Sequence, residues 1–369
     1  MKIVVSGYVG KKITGIGRNL ICLLDNVSNN NEYIVYVNQD MRDEFKFNNP
    51  RIHVKTYKVS KMSSLGNLIW TTFFFPFIVL KEKADVALIP NFTLLLFKFK
   101  PTVVIMHDLI EFNIKDKFSR KKMFYRTKIA DPITAKRANR IITVSENSKK
   151  DIKHFLNIPE KKISVVYNGV DRNKFHKMEY LKGINIIENR KWPHKFILYA
   201  GTIDHPGKNA MSVIKAFEQL RNSKEYDGKL VLAGMPGAGF EVVKNYVENS
   251  EYVNEIIITG FVTDDELIAL YSSCDVFCFV SLYEGFGIPP LEALACGAKV
   301  IVSNSSSLPE VVGNVGIAVE PKDIDQIKKV IKAFIEGKIN FSEREIDEHL
   351  RKYNWKILSE EFEKILIER

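Results

Sequence analysis

The feature that most constrains this chain is an alternation. Eleven short apolar runs, set between turns and stretches of helical spacing, fall into two successive series. The first is Lys2–Ser6, Tyr33–Val37, Ile52–Thr56, Val86–Ile89, Thr102–Met106 and Arg140–Val144; the second is Phe196–Ala200, Lys229–Ala233, Glu255–Thr259, Val276–Val280 and Lys299–Ser303. Strands that alternate with helices predict parallel sheets joined by crossover helices. A polar, charge-rich segment from about Asp171 to His194 divides the series. The expected fold class is therefore α/β, with two Rossmann-like domains, 1–172 and 190–352, facing one another across a cleft. A C-terminal helix, 354–369, offers Trp355, Phe362, Ile365 and Leu366 for packing back on the first domain. Ligands of such sheets sit at the C-terminal ends of the strands.

Composition removes other classes. Of 369 residues, 46% are apolar and 27% charged, and only 33 are Pro or Gly, which argues against disorder, collagen-like repeats and long flexible linkers. The opening MKIVVSGYVG is interrupted too early for a secretory signal, so a cytoplasmic location is expected, peripheral to the inner face of the cell membrane. Cys22, Cys274, Cys278 and Cys296 form no metal or disulfide framework and read as reduced and buried. The overall charge of +10 hides an asymmetry: residues 1–180 hold 32 Lys+Arg against 16 Asp+Glu, while the remainder hold 22 against 28. The basic half suits an anionic membrane surface or a phosphorylated substrate; no nucleic-acid module is recognised, and no nucleic-acid partner is expected. Its densest stretch, Lys115 to Lys128, mixes cations with Phe118, Phe124 and Tyr125, as either a solvated helix face or a membrane patch does. The run Leu68 to Leu80 is almost wholly apolar but too short to span a bilayer, for which roughly 20 residues are needed. It reads as a buried crossover helix, with partial exposure to lipid or to a lipid acceptor as the alternative.

Chemistry concentrates in Ser281 to Gly313, SLYEGFGIPPLEALACGAKVIVSNSSSLPEVVG. A strand ends, Glu284 to Gly287 turn the chain, and Pro289 and Pro290 suit the first helical turn. Backbone N–H groups and the positive end of a helix dipole then meet where a phosphate can bind. Glu284 on the loop and Glu292 on the helix can accept hydrogen bonds from sugar or ribose hydroxyls.

EGFGIPPLEALACG, with its Glu-x7-Glu spacing, followed by KVIVS and SLPEVVG, resembles the donor-binding signature of the retaining glycosyltransferases of family 4, which have the GT-B fold. The resemblance extends through TGIGRN (Thr14–Asn19), MHDL (Met106–Leu109), TVSENS, VVYNGVD, YAGTIDHPGKN (Tyr199–Asn209), LVLAGMPG and TGFVTDDEL, in that order. It implies a nucleotide-diphosphate sugar as donor, a lipid-linked or saccharide acceptor, and no cofactor or metal. Lys208 is implied to hold the donor diphosphate, with Arg18 as helper, since Thr202 and Gly207 stand near places where many members carry arginine. Gly15 and Gly17 are implied to let the first loop approach the diphosphate. His107 is implied to lie by the transferred sugar, and Asp108 to orient the loop. Glu284, with the N–H groups of Phe286, Gly287 and Ile288, is implied to bind the sugar, Glu292 the ribose and Val262 the base. Asn168 and Gly169 read as interdomain turn residues with Gly169 as a hinge, and Glu310 is a secondary candidate.

The implied reaction is hexose transfer with retention, by same-face attack in which the departing diphosphate takes the acceptor's proton. The AGT opening of the second domain resembles that of members which transfer mannose, rhamnose or related sugars, and the reading leans toward mannose from a guanosine donor. Asp323-Ile324-Asp325 formally reads as a metal-binding DxD, but lies at an apparent helix start beyond the signature. Two other classes stay open: a GT-B nucleotide-sugar epimerase, and a nonenzymatic basic protein bound to membrane or nucleic acid. A dehydrogenase fits poorly, because no complete G-x-G-x-x-G follows the first strand.

Overall fold

A computed structural model describes residues 1–7, 15–28, 30–58, 64–91, 93–114 and 119–367. The expectations placed on Thr14, Lys115 and Phe118 lie outside these residues. The chain forms two compact units: Met1–Gly169 with Tyr353–Arg369, and Val170–Lys352. The charge-rich segment after Asp171 belongs to the second unit and carries a helix, Tyr180–Asn189.

The first unit holds a sheet of seven parallel strands: β1 (Lys2–Ser6), β2 (Glu32–Asn38), β3 (Ile52–Tyr57), β4 (Val86–Ile89), β5 (Thr102–Ile105), β6 (Arg140–Thr143) and β7 (Ile163–Val165), in the order β3-β2-β1-β4-β5-β6-β7. Alternate residues feed two apolar layers, as the period of two requires. On one face Ile3, Val5, Val35 and Ile105 pack with Leu20 and Leu24 of the helix Gly15–Asp25 and with Leu358, Phe362 and Leu366 of the helix Trp355–Ile367. That last helix is also held by polar bonds. Ser359 Oγ donates to the Leu23 carbonyl at 2.8 Å, and the buried Glu363 carboxylate accepts from Tyr33 Oη and the Ser28 N–H, each at 3.0 Å. On the other face Val4, Ile34, Val104 and Ile141 pack with Trp70, Phe75 and Val79 and with Ala135, Ile152 and Leu156.

Two helices on that second face are interrupted by π turns, and proline explains both. Residues 64–81 run as α-helix Ser64–Ile69, π-helix Trp70–Phe74 and α-helix Phe75–Lys81; residues 120–137 run as Arg120–Phe124, π-helix Tyr125–Ala130 and Asp131–Arg137. Pro76 and Pro132 each stand second in the closing segment, where the ring clashes with the carbonyl four residues back. The ladder slips to a five-residue spacing: the Phe75 N–H reaches the Trp70 carbonyl and the Asp131 N–H the Arg126 carbonyl.

The expectation of a buried helix at Leu68 to Leu80 is therefore corrected. Trp70, Phe75 and Val79 are buried, but Ile69, Phe73, Phe74, Phe77 and Leu80 are 41–65% exposed. The sequence is apolar all round, and only one side of it meets the sheet. No helix among the described residues is long and apolar enough to cross a membrane.

The second unit holds six parallel strands: β8 (Phe196–Ala200), β9 (Lys229–Ala233), β10 (Ile256–Gly260), β11 (Val276–Phe279), β12 (Val300–Ser303) and β13 (Ile317–Val319), in the order β10-β9-β8-β11-β12-β13. Its core gathers Ile197, Tyr199, Leu230, Val276, Ile301, Phe217 and Phe334.

A Cβ on Gly169 would stand 2.6 Å from the Trp355 indole, so close packing requires glycine there; this residue closes the first stretch of the first unit, with Val170 opening the second. All four cysteines are free, with Cys278 and Cys296 buried and Cys22 and Cys274 only partly so.

Candidate functional site

The second sheet places its chemistry at a switch in strand order. From β8 the chain proceeds to β9 on one side, while β11 lies on the other, so β8 and β11 flank the switch point at which ligands of such sheets bind. Lys208 is on the loop after β8 and Glu284 on the loop after β11. Their side chains meet, with Lys208 Nζ 2.6 Å from Glu284 Oε1 and side-chain exposures of 30% and 14%. A cation just before the helix Ala210–Asn222 needs a compensating anion. Here Glu284 supplies it.

Both loops are fixed from behind. The Leu282 N–H donates to the Gly207 carbonyl at 2.9 Å, and Asn209 Nδ2 donates to the carbonyls of Val280 at 3.0 Å and Pro321 at 2.7 Å. The Lys208 N–H donates to Asp204 Oδ1 at 3.1 Å, and its ammonium stands 5.7 Å from the centroid of the Phe279 ring. Behind Glu284, a run of serines braces the turn. Ser305 Oγ donates to the Leu282 carbonyl at 2.6 Å, the Glu284 N–H donates to Ser306 Oγ at 2.9 Å, and Ser307 Oγ reaches the carbonyls of Glu284 at 3.0 Å and Phe286 at 2.6 Å. Sequence reasoning assigned these serines no role; hydroxyls in a row after a buried strand were the available signal.

Gly287 caps the helix Ile288–Ala295 at φ 115°, and a Cβ on it would come within 2.5 Å of Leu308. Conformation and contact both demand glycine there. Gly287 and Ile288 supply the N–H groups of the helix opening, since Pro289 and Pro290 have none. Glu292 follows in the second turn of that helix. Burial first, and then the Glu292 charge, hold the Tyr271 phenol well above its usual range and push the Cys296 thiol up to about 12. Thr202 is exposed on the loop after β8. Val262 follows β10, two strands away, and glycine backbones connect the ends between: the Gly201 N–H donates to the Ala233 carbonyl, and Gly234 to Gly260. Asp323 caps the helix Ile324–Ile335 by accepting the Gln326 N–H at 2.9 Å, which gives this carboxylate a structural task.

In the first unit His107 and Asp108 follow β5. His107 is buried, and its Nε2 lies 3.1 Å from the Pro90 carbonyl, which can only accept, so Nε2 carries the proton. Burial lowers its pKa to about 4, against a smaller opposing effect of that bond, leaving the ring neutral and Nδ1 an acceptor. Asp108 Oδ1 accepts the Ile110 N–H at 3.1 Å and so shapes its own turn. Gly15, Gly17 and Arg18 lie in the first turn of the helix Gly15–Asp25, not in a preceding loop as expected. Arg18 is exposed, and the neighbouring Asn19 donates to Asn168 in a buried bond.

A buried cluster close to His107 in sequence was missed. Glu111, with a fully buried side chain, pairs with Arg126 Nε at 2.8 Å. Asp131 is buried too, and desolvation, then the facing Glu111, hold its carboxyl well above the usual range. Asp131 keeps its proton beside Glu111 because a second buried negative charge there is costly. Arg126 is thus largely a core partner and not a surface cation of the basic stretch. The signal, acidic residues fifteen before and five after an arginine among cations, is indistinct in sequence.

Two family models match the chain: Glycosyltransferase Family 4 over residues 18–174 and Glycosyl transferases group 1 over residues 185–356. The serotype-specific mannosyltransferase WbdA of Escherichia coli is 32% identical over 265 residues, which are 69% of this chain and 32% of that protein. The O-antigen chain mannosyltransferase B of Escherichia coli is 30% identical over 243 residues, 64% of this chain and 62% of that protein. The match thus spans about a third of the first relative. Among solved structures, HepE of Anabaena in complex with UDP aligns with a TM-score of 0.77 at 17% identity, covering 99% of both chains. The fold is accordingly GT-B. With one model on each unit and the signature turn of Glu284 to Glu292 inside the second, the chain belongs to glycosyltransferase family 4.

Proposed function

We propose that the chain is a retaining, metal-independent hexosyltransferase that moves a hexose, with mannose preferred, from a nucleotide-diphosphate sugar to a hydroxyl of a lipid-linked or saccharide acceptor in surface polysaccharide or glycolipid biosynthesis. The observation that carries this reading is the Lys208–Glu284 pair across the strand-order switch of the second sheet. A diphosphate entering the site takes the ammonium from Glu284. The freed carboxylate then accepts from donor-sugar hydroxyls. One pair of side chains so recognises both halves of the donor.

The remaining assignments follow the chemistry of each group. Glu292 accepts from the ribose, Val262 lies against the base, and the N–H groups at Phe286, Gly287 and Ile288 face the sugar and phosphate. Arg18, Thr202, Gly15 and Gly17 are the secondary contacts. His107, neutral with Nδ1 as acceptor, positions a sugar hydroxyl and does not deliver a proton. Same-face attack proceeds as the donor C–O bond breaks. The acceptor oxygen bonds to the anomeric carbon, and its proton goes to the departing diphosphate. Lys208 and the helix N-termini stabilise the charge that develops there, so the reading needs no divalent ion. The protein works at the cytoplasmic membrane face, with the basic first unit toward anionic lipid.

The relatives named mannosyltransferases support the sugar preference. The test is a panel of nucleotide sugars screened by thermal stabilisation, followed by turnover with and without acceptor. Acceptor-dependent release of nucleoside diphosphate is expected. Sugar interconversion without acceptor, or no donor binding, overturns the proposal.

A further inference from the structure

The 64–81 helix presents a side that its own unit does not cover. Ile69, Phe73, Phe74, Phe77 and Leu80 are 41–65% exposed. Three phenylalanines, a leucine and an isoleucine on one short helix exceed the scattered apolar residues ordinary on a surface.

The surroundings say what covers it. This helix and the 120–137 helix pack on the same face of the first sheet, through Trp70, Phe75 and Val79 and through Ala135. Residues 93–99 link them: the Phe99 ring meets Phe75 edge-on at 6.3 Å, and the Leu95 N–H donates to Thr134 Oγ1 at 3.1 Å. That linking segment exposes Phe97 beside Lys98, and the second helix exposes Phe124 beside Lys121 and Lys122. Lys81 and Lys83 close the first helix. Apolar rings bordered by ammonium groups suit the boundary between acyl chains and anionic headgroups. A second copy of the chain is the poorer occupant, because a two-fold contact through this surface sets like charges against one another.

We propose that the exposed side of the 64–81 helix is a bilayer-docking surface: Phe73, Phe74, Phe77 and Leu80 enter the interfacial layer of an anionic phospholipid membrane, and the neighbouring lysines hold its headgroups. This names the element behind the membrane partner in the functional reading and rests on that reading only for its purpose. The π turn contributes directly. Slipping the ladder by one residue sets Phe73 and Phe74 side by side toward solvent while Trp70 and Phe75 stay in the core.

The test uses the full chain and needs neither donor nor acceptor. Cosedimentation is measured with vesicles of phosphatidylcholine alone and with phosphatidylglycerol added, for wild type, F73S/F77S and K121Q/K122Q. Wild type should bind the anionic vesicles. F73S/F77S should lower affinity on the order of a hundredfold, about tenfold per ring removed. K121Q/K122Q should lower it less and flatten the salt dependence. Nucleoside-diphosphate affinity should stay the same in all three. Absence of vesicle binding, or binding indifferent to F73S/F77S, overturns the proposal. So does a wild-type dimer, seen by light scattering, that this double variant splits. Because donor affinity is read separately, a failed transferase reading leaves the vesicle result interpretable, and the reverse also holds.

Discussion

In the Val170–Lys352 unit the opposite charges of the site meet where a ligand can reach them: Lys208 and Glu284 are both partly exposed and held by loop backbone. In the other unit the opposite charges are sealed in. Glu111 is buried and its partner Arg126 mostly so, beside a buried, protonated Asp131 and a buried, neutral His107. An exposed pair can be exchanged for a charged ligand at modest cost, whereas a buried one cannot open without stranding a charge. On the proposed reading, the second unit binds and releases an anion by exchanging this pair. The first keeps its charge pair in the core, on the sheet face that also carries the exposed phenylalanines.

The largest expected effect tests the exchangeable pair. Glu284→Gln should keep the fold, by circular dichroism, and lower transfer on the order of 10²–10³-fold; undiminished turnover removes Glu284 from the donor site. Lys208→Ala should weaken nucleoside-diphosphate binding by roughly tenfold or more, from the lost charge-assisted bond; calorimetry with unchanged affinity contradicts the assignment.

The sealed cluster is probed next. Arg126→Met leaves the Glu111 carboxylate buried without its partner and should cost about 3–5 kcal/mol, whereas the exposed Lys121→Gln should fall within about 0.5 kcal/mol of wild type. Equal costs in denaturant unfolding erase the contrast between core and surface cations. Gly287→Ala forces a Cβ onto Leu308 at a left-handed φ and should cost about 1–3 kcal/mol, in the second unit's transition only; a neutral result places strain elsewhere.

The smallest effects concern pH, and the two buried groups act with opposite sign. The folded-state pKa of His107 lies below its ordinary value, so the unfolded chain binds more protons between about 4 and 6.5, and this contribution to stability rises with pH across that window. Asp131 is held above its ordinary value, so its contribution is full below about pH 3.9 and is lost as pH rises toward the folded-state value. His107→Gln should remove the rising component and Asp131→Asn the falling one, read from unfolding at pH 5 and pH 8. Identical pH slopes in both variants refute the assignment of the two charge states.

How much of this was legible depended on what the pattern encodes. The apolar runs marked eleven of the thirteen strands among the described residues, with ends displaced by a residue or two. β7 and β13 have three residues each and lie at sheet edges, too short for a periodicity to register. Glu284 was singled out by motif spacing and Lys208 through the family resemblance, but nothing in the sequence joined them to each other, since strand order brings them together. The exposure of Phe73 and Phe77 was hidden because an apolar residue reads alike on either side of a helix. The Glu111–Arg126–Asp131 cluster was hidden for the converse reason: charged residues in a charged stretch look solvated.

The return of the Trp355–Ile367 helix to the first sheet makes the Val170–Lys352 unit an insertion within the other. During synthesis, the earlier-made strands wait for Phe362 and Leu366 while 183 intervening residues are added, a delay of roughly ten to forty seconds at ordinary ribosomal rates. The later unit can reach its final form while the earlier one still lacks a wall, so nascent chains should expose the face lined by Leu20 and Leu24 to chaperones until the 355–367 helix has been made.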